Sequence, residues 1–151
     1  MLSHTLFTRC ALAPAFVLLA FARLAMAWPV YTTETVDMSN AVAGKATWFN
    51  VGLGACGYTD SNTDWIVALN IEQWESTPGP GAYCNRFLVV KNAQNGATAV
   101  AKVRDMCPGC AYGSLDMSPD LFKAISTGGL DEGVYPIQWS WLPTDYVPAG
   151  Y

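Results

Sequence analysis

The sequence predicts a small, loop-rich, mostly β domain stapled by disulfides, and three observations carry that prediction. Charged and aromatic residues each make up 13% of the chain, beside 13 Gly and 9 Pro. That composition suits a compact β protein with many turns better than a helical bundle. Apolar residues come in short runs such as Phe87-Leu88-Val89-Val90, or alternate as in Ile137, Trp139 and Trp141, which are strand patterns. Four cysteines remain once an N-terminal leader is removed, an even set that reads as disulfides.

Residues 1–27 have the parts of a secretory signal peptide: Arg9 in the leading region, an apolar core over 11–22, and the small-x-small site Ala25-Met26-Ala27. The apolar run is short and is broken by Arg23, so it does not read as a membrane span. Cleavage before Trp28 makes the mature protein secreted and extracellular. It also removes Arg9, Cys10, Arg23 and His4, the one histidine of the chain. Six basic residues then face twelve acidic ones, a net charge of about −6. Without imidazole there is no Ser-His-Asp or Cys-His catalysis and no histidine zinc site. Six scattered cations form no stripe for nucleic acid.

Residues 28–43 carry Pro29 and several Thr without a period and are read as an extended N-terminal arm. The domain follows over residues 44–142. Gly44-Lys45-Ala46-Thr47-Trp48-Phe49 begins the first strand, because Thr, Trp and Phe favour a pleated, half-buried surface. Gly52, Gly54 and Gly57 punctuate a tight loop, and a polar loop with Asp60 and Asp64 follows. Residues 65–69 read as a strand, 70–75 as a helical turn, and Pro78-Gly79-Pro80-Gly81 as a surface loop.

The apolar run at 87–90 fits a strand buried on both faces. Asn95-Gly96 is a hairpin turn, and the return strand, 98–104, ends at Asp105. Ser118-Pro119-Asp120 has the chemistry of a helix start, with Ser as the cap, Pro at the first position and an acid in the first turn. Leu121, Phe122 and Ile125 are its apolar face and Gly128-Gly129 its end. Residues 133–142 form the last strand, in which Trp139 and Trp141 share a core face with Ile137. Residues 143–151 are a loosely held tail.

The candidate chemistry gathers on residues 101–125. A strand delivers Arg104-Asp105, the turn Cys107-Pro108-Gly109-Cys110 follows, and Asp116 lies just ahead of the helix, so two carboxylates flank a cross-linked loop. Four cysteines, Cys56, Cys84, Cys107 and Cys110, allow three pairings. The C-x-x-C spacing is that of a redox pair, but Ala111-Tyr112-Gly113 is turn where such a pair needs a helix N-terminus; the cysteines therefore read as structural. The acids lack the dense oxygen spacing of a calcium loop, and neither a metal nor a cofactor is expected.

Four pieces of sequence carry a resemblance: Lys45-Ala46-Thr47-Trp48-Phe49, Gly54-Ala55-Cys56-Gly57-Tyr58, Val103-Arg104-Asp105-Met106-Cys107-Pro108-Gly109-Cys110, and Leu115-Asp116-Met117-Ser118. Their order and spacing resemble the double-psi β-barrel shared by expansins, single-domain fungal loosenins, barwin-like proteins, the rare-lipoprotein-A-like group and family 45 endoglucanases. The resemblance implies a six-stranded double-psi β-barrel with one or two short helices. It implies that Asp116 is the essential acid, Asp105 its neighbour at a strand end and Thr47 a polar partner from the first strand. Phe49 stands where expansins carry tyrosine, so it can stack on a sugar but not donate to one.

By the same resemblance Trp48, Phe49, Tyr58 and Tyr112 stack on sugars beside Asp60, and likeness to barwin implies Cys56–Cys107 and Cys84–Cys110 bonds. Inverting glycosidases need an acid and a separate base. Asp116 matches the endoglucanase acid, but Asn50-Val51 occupies the base position and Asp60, in the next loop, is the only nearby substitute. Nine residues follow Leu142, where expansins often carry a second, carbohydrate-binding domain. The expectation is a secreted, monomeric, non-hydrolytic wall-loosening protein that binds cellulose, chitin or hemicellulose. It has no nucleic-acid partner and, after leader cleavage, no membrane partner. The alternative is a barwin-like defence module or protease inhibitor, and behind that a family 45-type endoglucanase.

Overall fold

The computed structural model describes residues 37–148 except Thr77. The expected leader, residues 28–36 of the arm and the last three residues of the tail lie outside the described residues. The elements in chain order are β1 Val42–Trp48, β2 Ile66–Asn70, α1 Ile71–Trp74, β3 Phe87–Asn92, β4 Thr98–Cys107, β5 Leu115–Met117, α2 Pro119–Ile125, a 3-10 turn Gly129–Glu132, and β6 Tyr135–Trp141. The six strands close into a barrel in the order β1-β5-β2-β4-β3-β6, with β6 returning to β1. The β1–β5 and β2–β4 pairs are parallel and the others antiparallel. The fold is thus mostly β, a six-stranded double-psi barrel with two short helices.

Alternation in each strand fills the barrel. Ala46, Val67, Leu69, Leu88, Val90, Ala101, Val103, Leu115, Met117, Ile137 and Trp139 form its buried interior, and the α2 face of Leu121, Phe122 and Ile125 adds to it. Closure leaves no open sheet edge. Both strand runs read from the sequence, 87–90 and the Trp139–Trp141 alternation, lie where expected, each extended or trimmed by a residue or two. The 92–97 turn closes as a hairpin, with Asn92 N–H donating to Ala97 O and Gly96 at φ 77°. Ser118 caps α2 by position, with Pro119 next, but its hydroxyl accepts from the Ile66 N–H of β2 at 3.4 Å instead of closing the helix.

Three expectations differ from the structure. The stretch before α2 is itself a strand, β5, paired on both sides. The tail is held by Tyr146, whose ring meets Phe87 edge-on at 5.6 Å. The disulfides are Cys56–Cys84 and Cys107–Cys110, not Cys56–Cys107 and Cys84–Cys110. The reason is position along β4. Cys56 N–H donates to Arg104 O, and Asn85, next to Cys84, donates to Val103 O, so Cys56 and Cys84 flank the same stretch of strand. Cys107 lies three to four residues further along, roughly 10 Å at strand rise, beyond the reach of a disulfide.

Candidate functional site

A single row across four strands builds the site. Thr47 of β1 pairs with Asp116 of β5, Asp116 pairs with Ala68 of β2, and Ala68 pairs with Asp105 of β4. Residues directly opposite one another share a face of the sheet. Their chain neighbours Ala46, Leu115, Met117, Val67 and Leu69 fill the barrel, so this row faces outward. Asp105 reaches it because of a register shift opposite Val67 and Ala68: Val67 pairs with Val103, but Ala68 pairs with Asp105. The extra residue is Arg104. Without that bulge the alternation that puts Ala101 and Val103 inside would bury Asp105 as well.

Close backbone approach fixes β1 against the turn that precedes β5. A Cβ on Gly44 would lie 2.7 Å from Ser114 N and closer still to the Gly113 carbonyl. Gly113 itself sits at φ 80°, in the region that favours glycine. Lys45 N–H donates to Ser114 Oγ at 3.2 Å, and the buried Trp139 indole donates to Gly113 O at 2.8 Å.

The Thr47 hydroxyl donates to Asp116 Oδ1 at 2.6 Å. Burial pushes the half-buried Asp116 carboxyl above the usual carboxylate range. The Thr47 bond opposes that rise, the charge of Asp105 adds to it, and the Met117 backbone opposes it again. The pair lies at one side of an open cleft of about 340 Å³ lined by Lys45, Thr47, Ser114, Asp116 and the 107–111 loop. Lys45 belongs to a quoted motif, but nothing in the sequence placed its side chain on the cleft.

The other expected residues divide between this cleft and its surroundings. Asp105 Oδ1 accepts from Ala55 N–H at 2.7 Å and Met106 N–H at 2.8 Å, bracing the glycine loop. Asp60 receives Arg104 Nε on both oxygens, at 3.1 and 3.0 Å, and the Arg104 guanidinium lies 3.9 Å over the Tyr58 ring. Arg104 thus organises this side of the site, a role the sequence did not reveal beyond its place next to Asp105. Phe49 lines a small pocket with Asp60, Arg104 and Asp105. The Trp48 indole donates to Leu130 O at 3.1 Å and packs against the core. Tyr58 and Tyr112 are 46% and 58% exposed, and Tyr112 follows Ala111 at the cleft rim.

No family model matches the chain. The papain inhibitor of Streptomyces mobaraensis is 32% identical over 112 residues, 71% of this chain and 76% of that protein. This chain belongs to the papain inhibitor's double-psi β-barrel family. The solved Streptomyces papain inhibitor matches the barrel at a TM-score of 0.59 with 30% identity, over 72% of this chain and 99% of that one. An allergen Asp f 7 homolog of Arthroderma benhamiae is 38% identical over 83 residues, and the match spans 54% of this double-psi barrel protein but only 28% of the homolog. A Clavibacter michiganensis expansin solved in complex with cellohexaose has a TM-score of 0.60 at 24% identity, over 72% of this chain and 53% of the expansin. That last likeness is one of fold. No helix among the described residues is long and apolar enough to cross a membrane.

Proposed function

We propose that this protein is secreted, binds chains of cellulose, chitin or hemicellulose on the outer row of its barrel, and loosens their non-covalent contacts without breaking a bond. The observation that carries the proposal is the Thr47–Asp116 hydrogen bond on the wall of an open cleft. The Thr47 hydroxyl and the Met117 backbone hold the Asp116 carboxyl at the cleft wall, where it can meet sugar hydroxyls. Lys45 and Ser114 add a cation and a hydroxyl. Tyr112, next to the cleft-lining Ala111, and Tyr58, on the far side of the row with Arg104 over one ring face, are about half exposed and of the type that stacks on sugars. The expansin solved with cellohexaose supports a β-glucan as one ligand of this fold.

Hydrolysis with inversion would require a second carboxylate free to activate water. Asp60 is bound by Arg104 at both oxygens, and Asp105 is held to the glycine loop by two backbone amides on its Oδ1. Binding followed by twisting of one chain away from its neighbours is therefore the favoured chemistry. The test is a pull-down of the mature protein and Asp116→Ala on insoluble cellulose and chitin, with reducing ends counted in the same tubes. Retention and fibre weakening without new reducing ends, both diminished in Asp116→Ala, is the expected result. New reducing ends that require Asp116 would refute it.

A second reading, inhibition of papain-like proteases, is favoured by the 32% identity to a papain inhibitor. A braced loop fits it: Leu53 is 75% exposed, on a segment held by a bridge to Thr59, the Gly54 N–H to Tyr58 O bond and the Cys56–Cys84 disulfide. Papain inhibition unchanged in Asp116→Ala and lost in Leu53→Asp would select this reading over glycan binding.

A further inference from the structure

We propose that the Cys107–Cys110 disulfide is a thiol–disulfide exchange site, opened and reclosed by a peptide thiol of the glutathione type that enters the cleft beside Asp116. The inference is independent of which ligand the outer row binds.

The two disulfides differ in what they hold. Cys56–Cys84 joins two loops across 28 residues, and both its cysteines pack against the barrel core. Cys107–Cys110 spans a separation of 3, so it closes a single turn and ties no distant elements together. That turn has other attachments. Cys107 ends β4 paired with Asn70, Tyr112 N–H donates to Glu72 at 3.2 Å, and Gly113 O accepts from Trp139. Opening the bond therefore leaves the fold's cross-strand connections in place.

Access and chemistry also distinguish this pair. Cys107 and Cys110 line the open cleft with Gly109, and Pro108 and Gly109 between them are exposed. The two sulfur atoms and a carboxylate oxygen of Asp116 all lie within 4.8 Å of one another. Lys45 on the cleft wall supplies the positive charge that favours thiolates. The motif lacks the helix N-terminus that usually activates a C-x-x-C pair; in the proposed exchange the adjacent Asp116 carboxyl, with Lys45 lining the same cleft, serves instead. Because burial raises the Asp116 carboxyl, it holds a proton to higher pH than an exposed acid does.

The exchange balances as follows. An external thiolate attacks one sulfur of the pair, a mixed disulfide forms as the Cys107–Cys110 bond breaks, and the electron pair leaves on the other sulfur. That sulfur takes its proton from solvent, passed on through the adjacent Asp116 carboxyl. A second external thiolate attacks the mixed disulfide, releasing the oxidised external disulfide and a cysteine thiolate that takes a proton from solvent, so that both cysteines end as thiols. Two electrons pass from two external thiols to the protein. The reverse sequence reduces an external disulfide to two thiols and re-forms the Cys107–Cys110 bond, with Asp116 accepting the proton.

The test uses the intact mature protein in native buffer with increasing reduced glutathione, quenched in acid, alkylated and mapped by peptide mass. Cys107 and Cys110 should become labelled or glutathione-linked about tenfold or more faster than Cys56 and Cys84, with the near-UV circular dichroism preserved. Asp116→Asn should slow the opening by about tenfold or more, while Cys110→Ser given oxidised glutathione should hold glutathione on Cys107 as a stable mixed disulfide. Opening of both disulfides together with loss of the near-UV signal would overturn the proposal, as would an opening rate unchanged in a folded Asp116→Asn. The wild-type labelling pattern decides the first point even where a variant fails to fold.

Discussion

Replacing Gly44 with alanine should cost this barrel a large part of its stability although it adds one methyl group. The new Cβ would meet backbone, 2.7 Å from Ser114 N and nearer to the Gly113 carbonyl, so no side-chain rotation relieves it. Forcing β1 from the 113–114 turn is an overpacking cost of about 1–3 kcal/mol. The displaced Gly113 carbonyl also loses the buried Trp139 indole, and an unmet buried partner costs about 1–3 kcal/mol more. The sum, about 2–6 kcal/mol, compares with a total of roughly 6–17 kcal/mol for a domain of this size. Urea unfolding followed by tryptophan fluorescence measures it. Gly52→Ala is the control, since a Cβ there meets nothing within 4 Å, and it should fall within about 0.5 kcal/mol of wild type. A Gly44→Ala protein equally close to wild type would refute the argument that close approach sets the register of Thr47 against Asp116.

Asp116 should make stability depend on pH with a sign opposite to that of a salt-bridged acid. Its folded value lies above the ordinary 3.8, so the folded state binds more protons in the window between the two values, and stability falls as pH rises through it. Thermal melts from acid to neutral pH should therefore show Asp116→Asn gaining on wild type across that window; a difference independent of pH, or of the other sign, would refute this. Removing the Cys56–Cys84 bond by a double Cys→Ala change should cost about 3–4 kcal/mol in the chain-entropy model for a loop spanning 28 residues, read from urea midpoints. Asn92→Leu should cost about 1–3 kcal/mol, because the fully buried amide donates to Ile125 O at 2.9 Å and accepts from Gln94 N–H at 2.8 Å; a near-neutral midpoint would show that these bonds are replaced.

Much of the barrel was legible because its strands announce themselves locally. The apolar run of β3, the alternation of β6 and the helix start at Ser118-Pro119 each need only a few neighbouring residues, although the Ser118 hydroxyl binds Ile66 rather than the helix. β5 was not legible, since Leu115-Asp116-Met117 has three residues and becomes a strand only by pairing with β1 and β2. The disulfides were not legible either, because which cysteines meet depends on where two loops touch β4. The same holds for the bulge at Arg104, which turns Asp105 outward through a register shift between distant strands. Asp60 read as the one nearby substitute for a base, but its bond to Arg104 joins residues 44 apart. Thr47 and Asp116 were brought together as the family resemblance implied, by the parallel pairing of β1 with β5.

The central claim is that the outer row through Thr47 and Asp116 is where ligand binds. A titration of the isotope-labelled mature protein with cellohexaose, followed by amide NMR, tests it most directly. The account predicts shifts concentrated at Lys45, Thr47, Tyr112, Ser114 and Asp116, weakened in Asp116→Ala. Shifts confined to the Leu53 loop, or none at saturating sugar, would contradict it.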